Sequence, residues 1–108
     1  MGFYNFNEMT FEQRRENVLI KSITGDKTLM LLIRLEPGEK TYHSHPQEQM
    51  GYILSGKVKL TIAHEKKICG HGEAYHIPSG VPHGFEVLSG ESLEYIEVFS
   101  PPKDEGRS

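Results

Sequence analysis

With 108 residues, the chain has room for one domain with a modest core and not for two. Its formal net charge of -3 and pI near 6.0 provide no basic field, which leaves nucleic-acid or anionic-membrane binding with little electrostatic support. A hydrophobic content of 36% beside 25% charged residues is that of an ordinary soluble protein, and the single cysteine, Cys69, rules out an internal disulfide and suits a reducing compartment.

The opening residues Met1-Gly2-Phe3-Tyr4-Asn5-Phe6 lack a basic stretch leading into an apolar run, and no segment reaches membrane-spanning length. A cytoplasmic protein is the resulting expectation. Through about Arg15 the chain carries Phe3, Tyr4, Phe6 and Phe11 with no clean period. Thr10 with Gln13 offers the cap of a single helical turn, but an extended arm over residues 1–15 is preferred. Its rings need a surface to cover, either another subunit or the outside of the main body, which residues 16–100 form.

From Asn17 the period shortens to that of strands. Val18-Leu19-Ile20 is followed by a turn at Gly25-Asp26 and by Leu29 to Leu35, a run apolar on both faces, as expected of a strand covered on both sides. Pro37-Gly38 stops it. Thr41 to His45 and Gln49 to Leu54 are the next strands, and Ser55-Gly56 turns the chain into Lys57 to Ala63, where Lys57, Lys59 and Thr61 alternate with Val58, Leu60 and Ile62. His64-Glu65 is a hairpin tip, Lys66 to Cys69 the return strand and Gly70-His71-Gly72 a loop. Ala74 to Ile77, Gly84 to Leu88 and Leu93 to Phe99 complete the strands, and residues 101–108 leave the sheet as a tail. Many short strands between glycine and proline turns, with no useful helical period, indicate an all-β sandwich or barrel.

Chemistry concentrates in two of these segments. Residues two apart on a strand share a face, so His43 and His45 present two imidazoles together. Pro46 bends the chain, and the strand that follows puts Gln49, Gly51 and Ile53 on one side and Glu48, Met50, Tyr52 and Leu54 on the other. Only one of Glu48 and Gln49 can therefore join the histidines. Pro78, Gly80 and Pro82 make a stiff turn that launches His83 as a third ligand. His76 either lines the pocket or fills the barrel wall, His64 and His71 read as exposed loop residues, and Cys69 reads as a buried thiol.

These residues resemble the two cupin motifs. Gly38, His43, His45, Gln49 and Gly56 are similar to the first, and Gly72, Pro78, Gly80 and His83 to the second. Glutamine fills the usual acidic ligand position, Val87 the last asparagine position, and the spacing from Gly38 to His43 is one residue short. The resemblance implies a cupin-type double-stranded β-helix, or jelly-roll barrel, with His43, His45, Gln49 and His83 as metal ligands. A closer likeness is to the small single-domain cupins of pectin and alginate breakdown, which open unsaturated uronate sugars to linear keto forms. Glu97-Val98-Phe99-Ser100-Pro101-Pro102-Lys103 is similar to their closing segment. Carried across, their pocket acid is Glu97, their aromatic wall Phe99 and their basic substrate contact Lys103, with a longer acid and a point-charge ammonium replacing the family's aspartate and arginine.

Three neutral imidazoles and a carboxamide would leave a divalent ion's charge uncancelled, favouring anionic or chelating ligands. Zinc, nickel, iron, manganese and copper all suit such donors. The resulting expectation is a metal-dependent isomerase of a small acidic sugar, with Glu97 as acid or base. A non-catalytic sensing module for a small anion and an oxygen-using dioxygenase are the alternatives. Met50, Tyr52 and Leu54, lying opposite the ligand face, point to a homodimer.

Overall fold

Strict alternation along the strands sorts this chain into an inner and an outer face. The computed structural model describes residues 2–88 and 90–103, so the expected tail beyond Lys103 lies outside the described residues. After a short 3-10 turn at Phe6–Glu8 come β1 (Glu12–Arg15), β2 (Val18–Thr24), β3 (Leu29–Leu35), β4 (Lys40–His43) and β5 (Glu48–Ser55). The chain continues with β6 (Val58–Ile62), β7 (Glu65–Cys69), β8 (Ala74–Ile77), β9 (His83–Val87) and β10 (Leu93–Ser100). These strands form a six-stranded sheet in the order β1-β2-β3-β10-β5-β8 and a four-stranded sheet in the order β4-β9-β6-β7. All pairings are antiparallel, and the two sheets face each other as the expected all-β jelly roll. Among the described residues, no helix is long and apolar enough to cross a membrane.

The core lies between the sheets. Leu29, Leu31, Ile33 and Leu35 of β3 and Leu93, Tyr95 and Phe99 of β10 point inward to meet Val58 and Leu60 of β6 and Phe85 and Val87 of β9. Phe85 stacks on Tyr95 with ring centroids 5.2 Å apart and meets Tyr75 edge-on at 5.6 Å. Burying each large side chain contributes about 1.5–3 kcal/mol. That margin lets the inward row of β10 carry one carboxyl, Glu97, at its third place.

Three expectations change in the structure. Residues 12–15, read as part of an extended arm, form the edge strand β1 paired with β2, and the aromatic stretch before it touches its own sheet. Lys21 donates to the Phe6 carbonyl at 2.7 Å and lies 4.4 Å from the Phe11 ring centroid. Next, β3 is covered unevenly on its outer face, where Leu32 is 9% exposed but Met30 is 39% exposed. Finally, β4 ends at His43, so His45 lies in the bend beyond the strand instead of two places along it.

Candidate metal centre

The histidines converge because two strands pair closely and a turn is stapled to the bend. His43 and His83 are direct cross-strand partners of β4 and β9. A Cβ on the neighbouring Gly84 would stand 2.3 Å from the Thr41 carbonyl oxygen, so only glycine lets β4 lie this close. His45 is held differently. The Gly80 N–H donates to its carbonyl at 2.9 Å, and the Ser79 hydroxyl donates to the Pro46 carbonyl at 2.6 Å. Gly80 adopts φ +77°, a left-handed conformation that glycine takes without strain.

The three imidazole centroids lie 4.7, 4.8 and 5.3 Å apart, with one nitrogen from each ring within 4.8 Å of the others. Nitrogens bound to one ion at 2.0–2.1 Å stand no more than about 4.2 Å apart, so the cluster is within about half an ångström of that reach. The tautomers are set by backbone carbonyls, which only accept. His45 Nδ1 donates to the Gln47 carbonyl at 3.1 Å and His83 Nδ1 to the Val81 carbonyl at 2.9 Å, leaving both Nε2 lone pairs for the centre. His83 Nε2 is buried with no hydrogen-bond partner among the described residues.

Gln49 lies beside this cluster. Its amide N–H donates to Glu97 Oε2, which turns its own Oε1 toward His45 Nε2 at 2.9 Å. In the neutral ring both atoms are acceptors. Two acceptors facing at this distance repel unless a cation binds them, and two donors at right angles on an ion at about 2.1 Å stand about 3 Å apart. An orphaned buried nitrogen and a pair of opposed lone pairs therefore fit a divalent metal.

Electrostatics keeps the rings deprotonated. Burial, then Lys103, then the other histidines lower the pKa of His43 to about 4, and burial followed by Lys103 lowers those of His45 and His83. For His83 the Nδ1 bond to Val81 opposes the shift. His43 is exposed as a residue, so water screens part of its depression. Protons therefore begin to compete for these nitrogens at lower pH than for free imidazole. Bound metal, measured by elemental analysis after dialysis at a series of pH values, is expected to stay constant from pH 7 to about 6 and to fall on further acidification. Metal content unchanged in strong acid would argue against imidazole ligation.

Glu97 is only 3% exposed, and its neighbours explain its state. Burial raises its pKa to about 7, opposed by hydrogen bonds from Tyr75 and Gln49 and by the charge of Lys103. Tyr75 donates to Oε2 at 2.5 Å, and Gln49 donates to the same oxygen, so neither bond uses Oε1. Gly51 makes room for this tyrosine, since a Cβ there would stand 2.1 Å from its ring.

Of the residues expected at the site, His43, Gln49, Glu97, Phe99 and Lys103 line one inward cavity, and His45 packs against Phe99 at 5.6 Å between centroids. The Lys103 ammonium lies 5.0 Å from the Phe99 ring centroid. His76 is a correction. Tyr75 and Ile77 take the inward places of β8, which leaves His76 on the outer face, bonded to Glu48 at 2.7 Å. Sequence reading missed Tyr75, although its place two residues before the apolar Ile77 marks the inward parity. It also missed Arg14 and Arg15, which line the cavity, with Arg15 paired to the buried Glu39 at 2.8 Å. A larger groove of about 450 Å³ crosses the outside of the four-stranded sheet near Tyr42 and Lys59, but the histidine cluster meets the inward cavity through His43.

A family model described as a cupin domain matches residues 31–99. An uncharacterized protein of Streptomyces coelicolor is 34% identical over 59 residues, 55% of this chain and 55% of that one. The pectin degradation protein KdgF of Dickeya dadantii is 29% identical over 100 residues, 90% of each chain. The chain thus spans about half the length of the first relative and nearly all of the second. Among solved structures, that of KdgF from Halomonas sp. matches with a TM-score of 0.87 at 24% identity over 97% of each chain, a likeness of fold.

Proposed function

This chain belongs to the cupin domain family, and from that premise we propose that it is a metal-dependent isomerase opening the ring of an unsaturated uronate to its linear keto form. One observation carries the reading: a buried acid, Glu97, is bonded to the carboxamide that completes a three-histidine cluster. A relative named for pectin degradation, similar along nine-tenths of both chains, supports the same class of molecule. The cavity, of about 90 Å³, favours one small ring over a chain of sugars. The site of action proposed is the cytoplasm.

His43, His45, His83 and Gln49 would hold a divalent transition ion, whose uncancelled charge would polarise the sugar's oxygens. Glu97, with a pKa of about 7, can both take and return a proton near neutrality. It removes the hydroxyl proton from the hemiacetal carbon as a carbonyl forms there and the ring C–O bond breaks. The released electron pair makes an enolate, and the same carboxyl returns its proton to the enolate carbon, giving the ketone with no net change of atoms. Phe99 walls the reacting face, and Lys103 offers charge to the carboxylate.

Adding an unsaturated uronate should abolish its conjugated enol absorbance at a rate above that of buffer. No acceleration would end this reading. Saturable binding without product would instead favour a sensing module, and oxygen uptake with iron or copper a dioxygenase. Tyr75→Phe removes a bond that lowers the Glu97 pKa, so the acid limb of the pH–rate profile is expected to move to higher pH while metal content stays the same. A limb that does not move would show that Tyr75 does not tune this acid.

The outer face of the six-stranded sheet exposes Met50 (57%) and Tyr52 (42%) beside Ile96 and Val98. On this reading the face pairs two copies as a homodimer. Light scattering is expected to give twice the mass of the chain, and Met50→Glu to give the monomer; a monomeric native protein would refute the pairing.

A further inference from the structure

Tyr95 is only 4% exposed, yet its hydroxyl makes no hydrogen bond among the described residues. Tyr75, the other buried phenol of the barrel interior, differs in donating to Glu97 at 2.5 Å. The register explains the contrast. Tyr95 lies opposite Ile33 of β3 on one side and Ile53 of β5 on the other, and Ile33 lies opposite Ile20 of β2, so its inward neighbours at this level are aliphatic. A hydroxyl among branched aliphatic chains forfeits the bond that water gives it in the unfolded chain. Phenylalanine would fill the same place without that loss.

The oxygen is not sealed in. Among the described residues, His83 Nε2 is the one enclosed side-chain polar atom without a partner, so the Tyr95 oxygen, also unbonded, opens onto free space. The cavity that Tyr95 lines is lined as well by His43, Gln49 and Glu97. Phe85, stacked on Tyr95 with 21° between the planes, fixes the direction of the ring. On the inward row of β10, Tyr95 stands two residues beyond Glu97 on the side away from Phe99, whose partner is Gln49. Burial, then the charge of Glu97, holds the phenol pKa well above its ordinary value, so the group is a neutral hydroxyl able to donate.

We infer that the Tyr95 hydroxyl is a specificity contact, donating a hydrogen bond to a hydroxyl oxygen at the end of the ligand that reaches past Glu97, away from the histidine cluster. A ligand with an apolar group at that end leaves the phenol unpaired and is disfavoured, whereas one with a hydroxyl there is selected. This deepens the uronate reading and rests on it for the identity of the ligand, since a uronate ring carries hydroxyl groups besides the one that reacts.

The test is calorimetric binding of a saturated hexuronate and its monodeoxy analogues to the metal-loaded protein. Tyr95→Phe keeps the stacked ring and is expected to bind the hexuronate about 5- to 20-fold more weakly, while one deoxy analogue binds native protein and variant alike. The unfolding temperature without metal or ligand is expected to be unchanged or higher in the variant, because no internal bond is lost. Equal hexuronate binding by both proteins, which would mean that the phenol is served by water alone, overturns the assignment. So does equal weakening for every analogue, a lower unfolding temperature in the variant, or a hexuronate that native protein does not bind. Turnover of the unsaturated uronate with unaltered hexuronate binding would remove Tyr95 and spare the isomerase reading; Tyr95-dependent binding without turnover would do the reverse.

Discussion

Replacing His83 with alanine is expected to weaken metal binding by on the order of 100-fold or more and to abolish turnover, while leaving a folded barrel. His83 is 1% exposed, and its Nε2 has no hydrogen-bond partner among the described residues, so its position suits the proposed ligation. Alanine removes that nitrogen together with the Nδ1 bond to the Val81 carbonyl. Because an unsatisfied buried atom disappears with the ring, the cost to the metal-free fold is about 1–2 kcal/mol. Elemental analysis and chelator competition measure the first effect, thermal unfolding of metal-free protein the second. A variant with native metal content would dismantle the proposed centre.

Glu97→Gln is expected to reduce turnover of the unsaturated uronate by about 10²- to 10⁴-fold with metal content preserved. A glutamine oxygen can still accept from Gln49 and Tyr75, so the ligand carboxamide keeps its orientation while the titratable proton is lost. Native rates in the variant would remove Glu97 from the chemistry. The same substitution should alter the pH dependence of stability. A raised carboxyl pKa means that the folded state holds the proton more tightly than the unfolded chain between the ordinary 4.5 and about 7. Its contribution is full below that window and lost as pH rises through it. The lowered histidine pKa values act oppositely in metal-free protein, adding stability as pH rises toward 6.5. Metal-free Glu97→Gln should therefore gain stability with pH more steeply than the native protein over this range.

Strands with a sharp change of composition at their ends were legible from the sequence. Leu29–Leu35 and Ala74–Ile77 fall between turn residues, and the structure keeps those bounds. The His-Ser-His-Pro stretch and the Pro-Ser-Gly turn likewise announced a cluster, since stiff local chemistry positions them. What the sequence left open depended on parity or on long-range packing. On β10, Tyr95-Glu97-Phe99 and Glu94-Ile96-Val98 are both credible inward rows, and the partner strands β3 and β5 decide between them. His76 went astray for the same reason, one residue out of step with Tyr75. β1 was hidden because Glu12-Gln13-Arg14-Arg15 has no apolar alternation; its pattern answers to a cavity and a bulge.

The bonds from Gly80 to His45 and from Ser79 to Pro46 hold the two histidine-bearing segments together through protein atoms alone. A metal bound there would fill a receptacle already assembled and would not require the chain to refold around each incoming ion. The emptied protein should accept zinc, nickel or manganese in turn and release each without unfolding, so that the ion it carries in a cell reflects which one is supplied there.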